Sequence, residues 1–216
     1  MKPDKQFENL LLKSPISFDQ QTLSRLNDYL LLIKRWSKKM NLVSYTDRRD
    51  IYIKHFIPSF WFFENIEEES PETILDIGSG AGFPGLILKI IKPEIDVCLV
   101  ESNRKKTLFL KEAAEQLGIK PQIINDRIEI FKRDTNKTFD VIVSRAVTSL
   151  KQIWEWSDGL LSSNGTVIVI KGADYKSESN YENDPDFTIS EIKPELKWIT
   201  NSPNLKNKLI IKMKKA

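Results

Sequence analysis

Cysteine and histidine occur once each in this 216-residue chain, as Cys98 and His55, and that scarcity excludes several kinds of chemistry. A lone cysteine forms no intrachain disulfide and no cysteine-based metal site, so no metal is expected. Its neighbours Val97-Cys98-Leu99-Val100 make an apolar run, in which Cys98 reads as filler of a buried strand. His55 reads as a packed histidine on the side of a helix. Long hydrophobic runs are missing too. None approaches the roughly 20 residues of a membrane-spanning helix, and Met1-Lys2-Pro3-Asp4-Lys5 leads into no signal-peptide core. A soluble, cytoplasmic protein with no membrane partner is expected, and a monomer is the default.

Neither sign of charge dominates: 33 basic and 30 acidic residues leave a net charge of +3 and a pI near 8.8. Such a balance does not by itself imply a polyanionic partner, but the distribution is uneven. Basic residues gather at Lys34-Arg35, Lys38-Lys39, Arg48-Arg49, Arg104-Lys105-Lys106 and the tail Lys206, Lys208, Lys212, Lys214 and Lys215, while acids concentrate between Glu64 and Glu72. Convergence of these clusters on one face makes a nucleic-acid surface; otherwise they are solvated helix faces and a frayed tail.

What the chain does have is enough apolar residue, 40% by count, for one α/β core with a small extension. Ser17 stands where a helix cap belongs, ahead of Leu23, Leu26, Leu30, Ile33 and Trp36, whose spacing of three and four gives one buried stripe. A second helical segment is expected from about Asp47 to Phe63, with the acidic stretch Glu64 to Glu72 as a connector. Residues 1–72 then form a helical extension packed on the core, and 73–216 the α/β domain. From Thr73 short apolar runs alternate with helical ones, the pattern of a parallel sheet covered on both faces. Strands are expected at Thr73–Ile77, Asp96–Val100, Gln122–Ile124, Phe139–Val143 and Thr166–Ile170. Helices are expected near Gly85–Ile91, Arg104–Leu117 and Leu150–Leu161. Asn164-Gly165 supplies a turn before the fifth strand, the polar stretch after Gly172 reads as a loop, and Lys208 to Met213 returns as a strand beside this doubly wound sheet.

The most informative stretch is Ile74-Leu75-Asp76-Ile77-Gly78-Ser79-Gly80-Ala81-Gly82-Phe83-Pro84-Gly85, a buried strand running into a glycine-rich turn that opens a helix. Glycines there let backbone amides approach a nucleotide-like ligand. Both dinucleotides and S-adenosylmethionine use such a turn. Glu101 ends the second strand about twenty residues on, where a carboxylate accepts from ribose hydroxyls in either case. Asp76 separates the two: a carboxylate just before the turn disfavours a pyrophosphate and favours the ammonium and sulfonium charges of S-adenosylmethionine. A buried acid bonding turn amides is the plainer role for Asp76, and both hold together. For Glu101 the plainer role is an exposed acid capping a helix.

These residues resemble a known family, the bacterial small-subunit rRNA guanine-N7 methyltransferases, also called glucose-inhibited division protein B. The similarity runs through Arg35-Trp36, Asn41-Leu42-Val43-Ser44, Lys54-His55, the whole glycine turn, Glu101 to Lys106, Arg127-Ile128-Glu129, Ser144-Arg145-Ala146 and Lys171-Gly172. Phe83-Pro84-Gly85 and Ser144-Arg145-Ala146 are its specific parts. The resemblance implies a Rossmann-like class I S-adenosylmethionine-dependent methyltransferase fold. It implies a cofactor lined by Gly78 and Phe83, with Glu101 at the ribose, Ile128 and Glu129 near the adenine, and Arg145 close to the methionine end; the turn's own Asp76 and Gly80 are cofactor-binding candidates beside them. Arg145 holds the methionine carboxylate or meets an RNA phosphate, which also makes it the candidate catalytic residue. The implied substrate is a guanosine in a loop of 16S rRNA near the decoding centre, in the small ribosomal subunit or its precursor, with Arg48, Arg49, Arg104, Lys105 and Lys171 as RNA-binding candidates. The family often carries an aspartate where this chain has Pro58, and its C-terminal basic-plus-histidine stretch is here Lys206-Asn207-Lys208.

Guanine N7 has a lone pair and no proton to lose, so its methylation needs no general base and no nucleophilic cysteine. Three alternatives stay open at this stage: ribose 2′-O-methylation with Lys171 as activating group, a non-catalytic RNA-binding assembly factor on the same fold, and a nicotinamide-dependent oxidoreductase.

Overall fold

The computed structural model describes residues 4–43, 50–145, 148–177, 186–194 and 203–216. Ser44, Arg48, Arg49, Ala146 and the expected helix start at Asp47 lie outside the described residues.

Three helices precede the sheet. Asp4 caps α1 (Lys5–Leu12) by accepting from the amides of Gln6 and Phe7. Helix α2 (Gln20–Trp36) starts later than the expected cap at Ser17: Asp19 is the cap, because its carboxylate reaches the Thr22 amide at 2.6 Å. The apolar stripe is as expected, with Leu26, Leu30 and Ile33 buried and Leu23 and Trp36 packed beside them. A π-helical turn, Tyr52–Phe56, leads into α3 (Ile57–Ile66), mostly apolar and buried at every residue but Glu64. The chain stays helical past Phe63, through Ile66 and a 3-10 turn at Glu67–Glu69, so the acidic connector is shorter than its sequence suggests.

The sheet contains β1 (Thr73–Ile77), β2 (Asp96–Val100), β3 (Gln122–Ile124), β4 (Phe139–Arg145), β5 (Leu161–Gly172), β6 (Phe187–Ile192) and β7 (Lys208–Lys215), in the order β3-β2-β1-β4-β5-β7-β6. Strands β1 to β5 pair in parallel, and β7 runs antiparallel between β5 and β6. Strand order therefore reverses between β1 and β4, which opens a crevice at their carboxyl ends. Helices α4 (Gly85–Ile91), α5 (Arg104–Leu117), α6 (Ile128–Asp134) and α7 (Leu150–Ser157) make the crossovers, and the short α8 (Pro203–Lys206) precedes β7.

Alternation along the strands assigns each side chain to a face. Ile74, Leu99, Val141, Val143 and Ile168 join the cluster that includes α1 to α5, so the amino-terminal helices cover the same sheet face as α4 and α5. Leu75, Ile77, Cys98, Ile142, Val167 and Val169 join the cluster with α6 and α7. Cys98 is buried filler there, and burial pushes its thiol up to about 12, which leaves it unreactive near neutral pH.

Other features depart from expectation as well. Helices α1, α6 and α8 and strand β6 are additional elements, and α7 ends at Ser157 instead of continuing to Leu161. Strand β5 begins at Leu161, so Asn164-Gly165 falls inside it: the pairing with β4 jumps from Phe139↔Leu161 to Val141↔Thr166, and the turn residues occupy that irregularity. The carboxyl-terminal lysines are not a frayed tail, because β7 buries Lys212, whose ammonium meets Asn65 O, Glu68 and Glu69.

Candidate cofactor site

The carboxyl end of β1 enters the turn with three glycines at positive φ, Gly78 at 72°, Gly80 at 57° and Gly82 at 88°. Gly82 is also pressed from outside, since a Cβ there would lie 2.6 Å from both the Tyr29 hydroxyl and Leu86 Cδ1. Gly85 is needed for a different reason: its Cβ would meet Leu99 Cδ2 at 2.3 Å and Asp76 Oδ2 at 2.6 Å. That absence of a side chain lets Asp76 Oδ2 accept from the Gly85 amide at 2.9 Å and tie the end of β1 to the start of α4.

Asp76 thus faces the turn and α4, fully buried. Among the described residues its Oδ1 has no hydrogen-bond partner. Desolvation raises its carboxyl to about 7, against the pull of the Gly85 amide and the nearby Arg145. This geometry is the plainer of its two expected roles, a buried acid holding the turn.

Glu101 stands at the end of β2, 6% exposed, and is not a helix cap; Asn103 caps α5 instead. Its Oε2 accepts from the Gly80 amide at 2.8 Å and its Oε1 from the Asn103 amide at 2.7 Å. A carboxylate has about four lone-pair sites, so two stay available for hydroxyl donors. One side chain therefore fixes the glycine turn against the β2–α5 loop.

Beside that contact lies a cavity of about 230 Å³ lined by Ile77, Gly78, Val100, Ser102, Asp126, Arg127, Ile128, Glu129 and Trp156. Apolar Ile77, Val100 and Ile128 with the acceptors of Asp126 and Glu129 suit a planar heterocycle carrying an amine. Of the sequence candidates, Gly78, Ile128 and Glu129 line this cavity, and Gly80 and Glu101 meet at its edge. Ser102, Asp126, Arg127 and Trp156 were not anticipated. Asp126 and Arg127 adjoin the Ile128-Glu129 pair and were within reach of the sequence, whereas Trp156 comes from α7 and carries no local signal.

Phe83 and Arg145 belong to a second group, on the other side of the turn. Phe83, 3% exposed, packs with Tyr29, Phe56 and His55. Arg145, at the tip of β4, lies over the Phe83 ring and donates to Lys54 O. His55 is half-buried and stacked on Phe83, a packed histidine as its position suggested. Lys171, at the end of β5, donates to Thr148 O. Arg104 and Lys105 are exposed on the first turn of α5, next to cavity residue Ser102. Among the described residues no cluster of His, Cys, Asp and Glu is arranged to hold a metal.

The family model for rRNA small subunit methyltransferase G, GidB, matches residues 22–202 of this chain. The chain belongs to the GidB family. Its relatives in the family include a ribosomal RNA small subunit methyltransferase G of Lactococcus lactis subsp. cremoris (strain SK11), 34% identical over 182 residues covering 82% of this chain and 76% of the relative. One of Staphylococcus haemolyticus is 36% identical over 81% of this chain and 72% of its own length. Solved structures similar in fold include an O-methyltransferase from Bacillus cereus in complex with SAH, at TM-score 0.63 and 11% identity over 97% of both chains. A SAH-bound Podospora anserina methyltransferase has TM-score 0.60 and 14% identity over 94% of this chain and 99% of its own. The GidB chain described here thus has the class I methyltransferase architecture, with a seven-stranded, mostly parallel sheet.

Proposed function

We propose that this protein transfers the methyl group of S-adenosylmethionine to N7 of a guanosine in a loop of 16S rRNA, near the decoding centre, in the small ribosomal subunit or its precursor. The observation that carries the cofactor reading is the Glu101–Gly80 contact beside the cavity, where a ribose-accepting carboxylate, an open glycine backbone at Gly78 and the Ile128-Glu129 pair meet. Residues 1–72 act as the extension and 73–216 as the catalytic unit of a cytoplasmic monomer.

When bound, S-adenosylmethionine supplies the electrophilic methyl group on a sulfonium. Glu101 would accept from the ribose hydroxyls, and Ile128 would pack on the adenine while Glu129 and Asp126 would offer acceptors to its amine. Asp76 and Gly85 hold the turn in shape, with the Gly78 amide donating to Val100 O and the Gly80 amide to Glu101. Arg145, the last residue of β4, would receive the methionine carboxylate. The enzyme's remaining task is to align the base with the methyl–sulfur bond and exclude water, since N7 gives up no proton. Recognition of an unstacked loop base agrees with how proteins read RNA sequence.

Calorimetry with S-adenosylhomocysteine tests the cofactor reading. Binding to the intact protein and its loss in G78D are expected. Tight binding of a nicotinamide dinucleotide without binding of S-adenosylhomocysteine would contradict it.

A further inference from the structure

Pro58 has no N–H, so it gives no helical hydrogen bond to the carbonyl of Lys54, four residues earlier. That carbonyl accepts instead from Arg145 Nη1 at 2.9 Å. The other arm of the same guanidinium, Nη2, lies 2.6 Å from His55 Nδ1. Arginine only donates and stays protonated, so Nδ1 must accept. A neutral imidazole with its proton on Nε2 is the form that does so. The ring is held in place by stacking on Phe83, with centroids 5.0 Å apart and planes 29° apart, and the guanidinium sits 5.5 Å from the centroid of the same phenyl ring. Residues Tyr52–Phe56 are π-helical, a local widening that recurs at functional sites. Here it presents two acceptors, one backbone and one side chain, to the two ends of one guanidinium fork.

We propose that His55 is a positioning residue for Arg145. Accepting through Nδ1 and braced by Phe83, the imidazole fixes the guanidinium at the diverging tips of β1 and β4. The amino-terminal extension thereby completes the methionine end of the cofactor site. The proposal rests on the reading of Arg145 as a ligand of the methionine carboxylate.

Two measurements test it. Nitrogen NMR of the sole imidazole is expected to show Nδ1 unprotonated and Nε2 protonated at neutral pH; a proton on Nδ1 would overturn the contact. Calorimetry with S-adenosylhomocysteine then compares variants of the full chain. H55F keeps a ring on Phe83 without the acceptor, and H55N keeps an acceptor without the ring. H55F and R145A are each expected to weaken binding by about tenfold, and H55N by less than about threefold, as the loss of a charged hydrogen bond implies. The double variant H55F/R145A is expected to bind no more weakly than R145A alone, because His55 acts through Arg145. Additive losses, or an unchanged H55F beside a weakened R145A, would overturn the role of His55 while leaving that of Arg145 intact. An unchanged R145A would overturn both.

Discussion

The hydroxyl of Tyr29, on a helix more than fifty residues upstream, donates to the carbonyl of Ala81 in the middle of the glycine turn. Tyr29 is wholly inaccessible, and burial together with the nearby Asp76 holds its phenol well above its ordinary range, so it stays a donor. Helix α2 therefore reaches across to the glycine turn beside the candidate cofactor cavity.

Y29F removes that donor while keeping the ring against Phe56, Phe83 and Phe109. Loss of a buried hydrogen bond is expected to cost about 1–3 kcal/mol of stability. Denaturant unfolding checks this, and calorimetry on the same variant should show weaker binding of S-adenosylhomocysteine.

Asp76 gives the fold a specific pH dependence. Burial raises its folded carboxyl to about 7, above the ordinary aspartate value of about 3.9. The folded state therefore holds a proton that the unfolded state releases between those limits, and Asp76's contribution falls as pH rises from about 4 to about 7, by up to roughly 1.4 kcal/mol per unit. Above about 8 the contribution is level. Asp4, Asp140 and Glu69 are lowered and act in the opposite sense, so the informative quantity is wild type minus D76N. That difference should decline from pH 5 through pH 7 and level off above about pH 8, measured by urea unfolding.

Lys212 is a structural cation. Its ammonium is buried against Asn65 O, with Glu68 Oε2 at 2.9 Å and Glu69 Oε1 at 3.3 Å, and helps hold Glu69 below the ordinary carboxylate range. K212M should lower stability by about 1–3 kcal/mol and leave the salt dependence of RNA binding unchanged. Fluorescence titration with a small-subunit rRNA fragment at several salt concentrations checks the second half.

Arg104 and Lys105 should behave in the opposite way. They are exposed at the cavity's edge, and R104A/K105A is expected to reduce the slope of log affinity against log salt by about 2, one phosphate for each charge. The same titration, with unfolding as control, checks it.

Much of the site was legible because the chemistry is written locally. Strand, glycine turn and terminal acid occupy consecutive positions, so β1, the turn and α4 followed from spacing, as did Glu101 at the end of β2. The direction of Asp76 was less so: which way its carboxylate points depends on Gly85, whose lack of a Cβ opens the path to an amide. The trio His55, Phe83 and Arg145 comes from three distant segments, and no periodicity brings them together. Strand β6 was hidden because Phe187–Ile192 is a short edge strand, in which only Phe187 is buried, and the fate of Lys212 was hidden because pairing with Glu68 and Glu69 spans more than 140 residues.

The central claim is the identity of the methylated base. Mass spectrometry of nucleosides from digested 16S rRNA, prepared from cells with and without this protein, tests it most directly. The account predicts one 7-methylguanosine present in the first sample and missing from the second. An equal 7-methylguanosine content in both, or the loss of a ribose-methylated nucleoside instead, would contradict it.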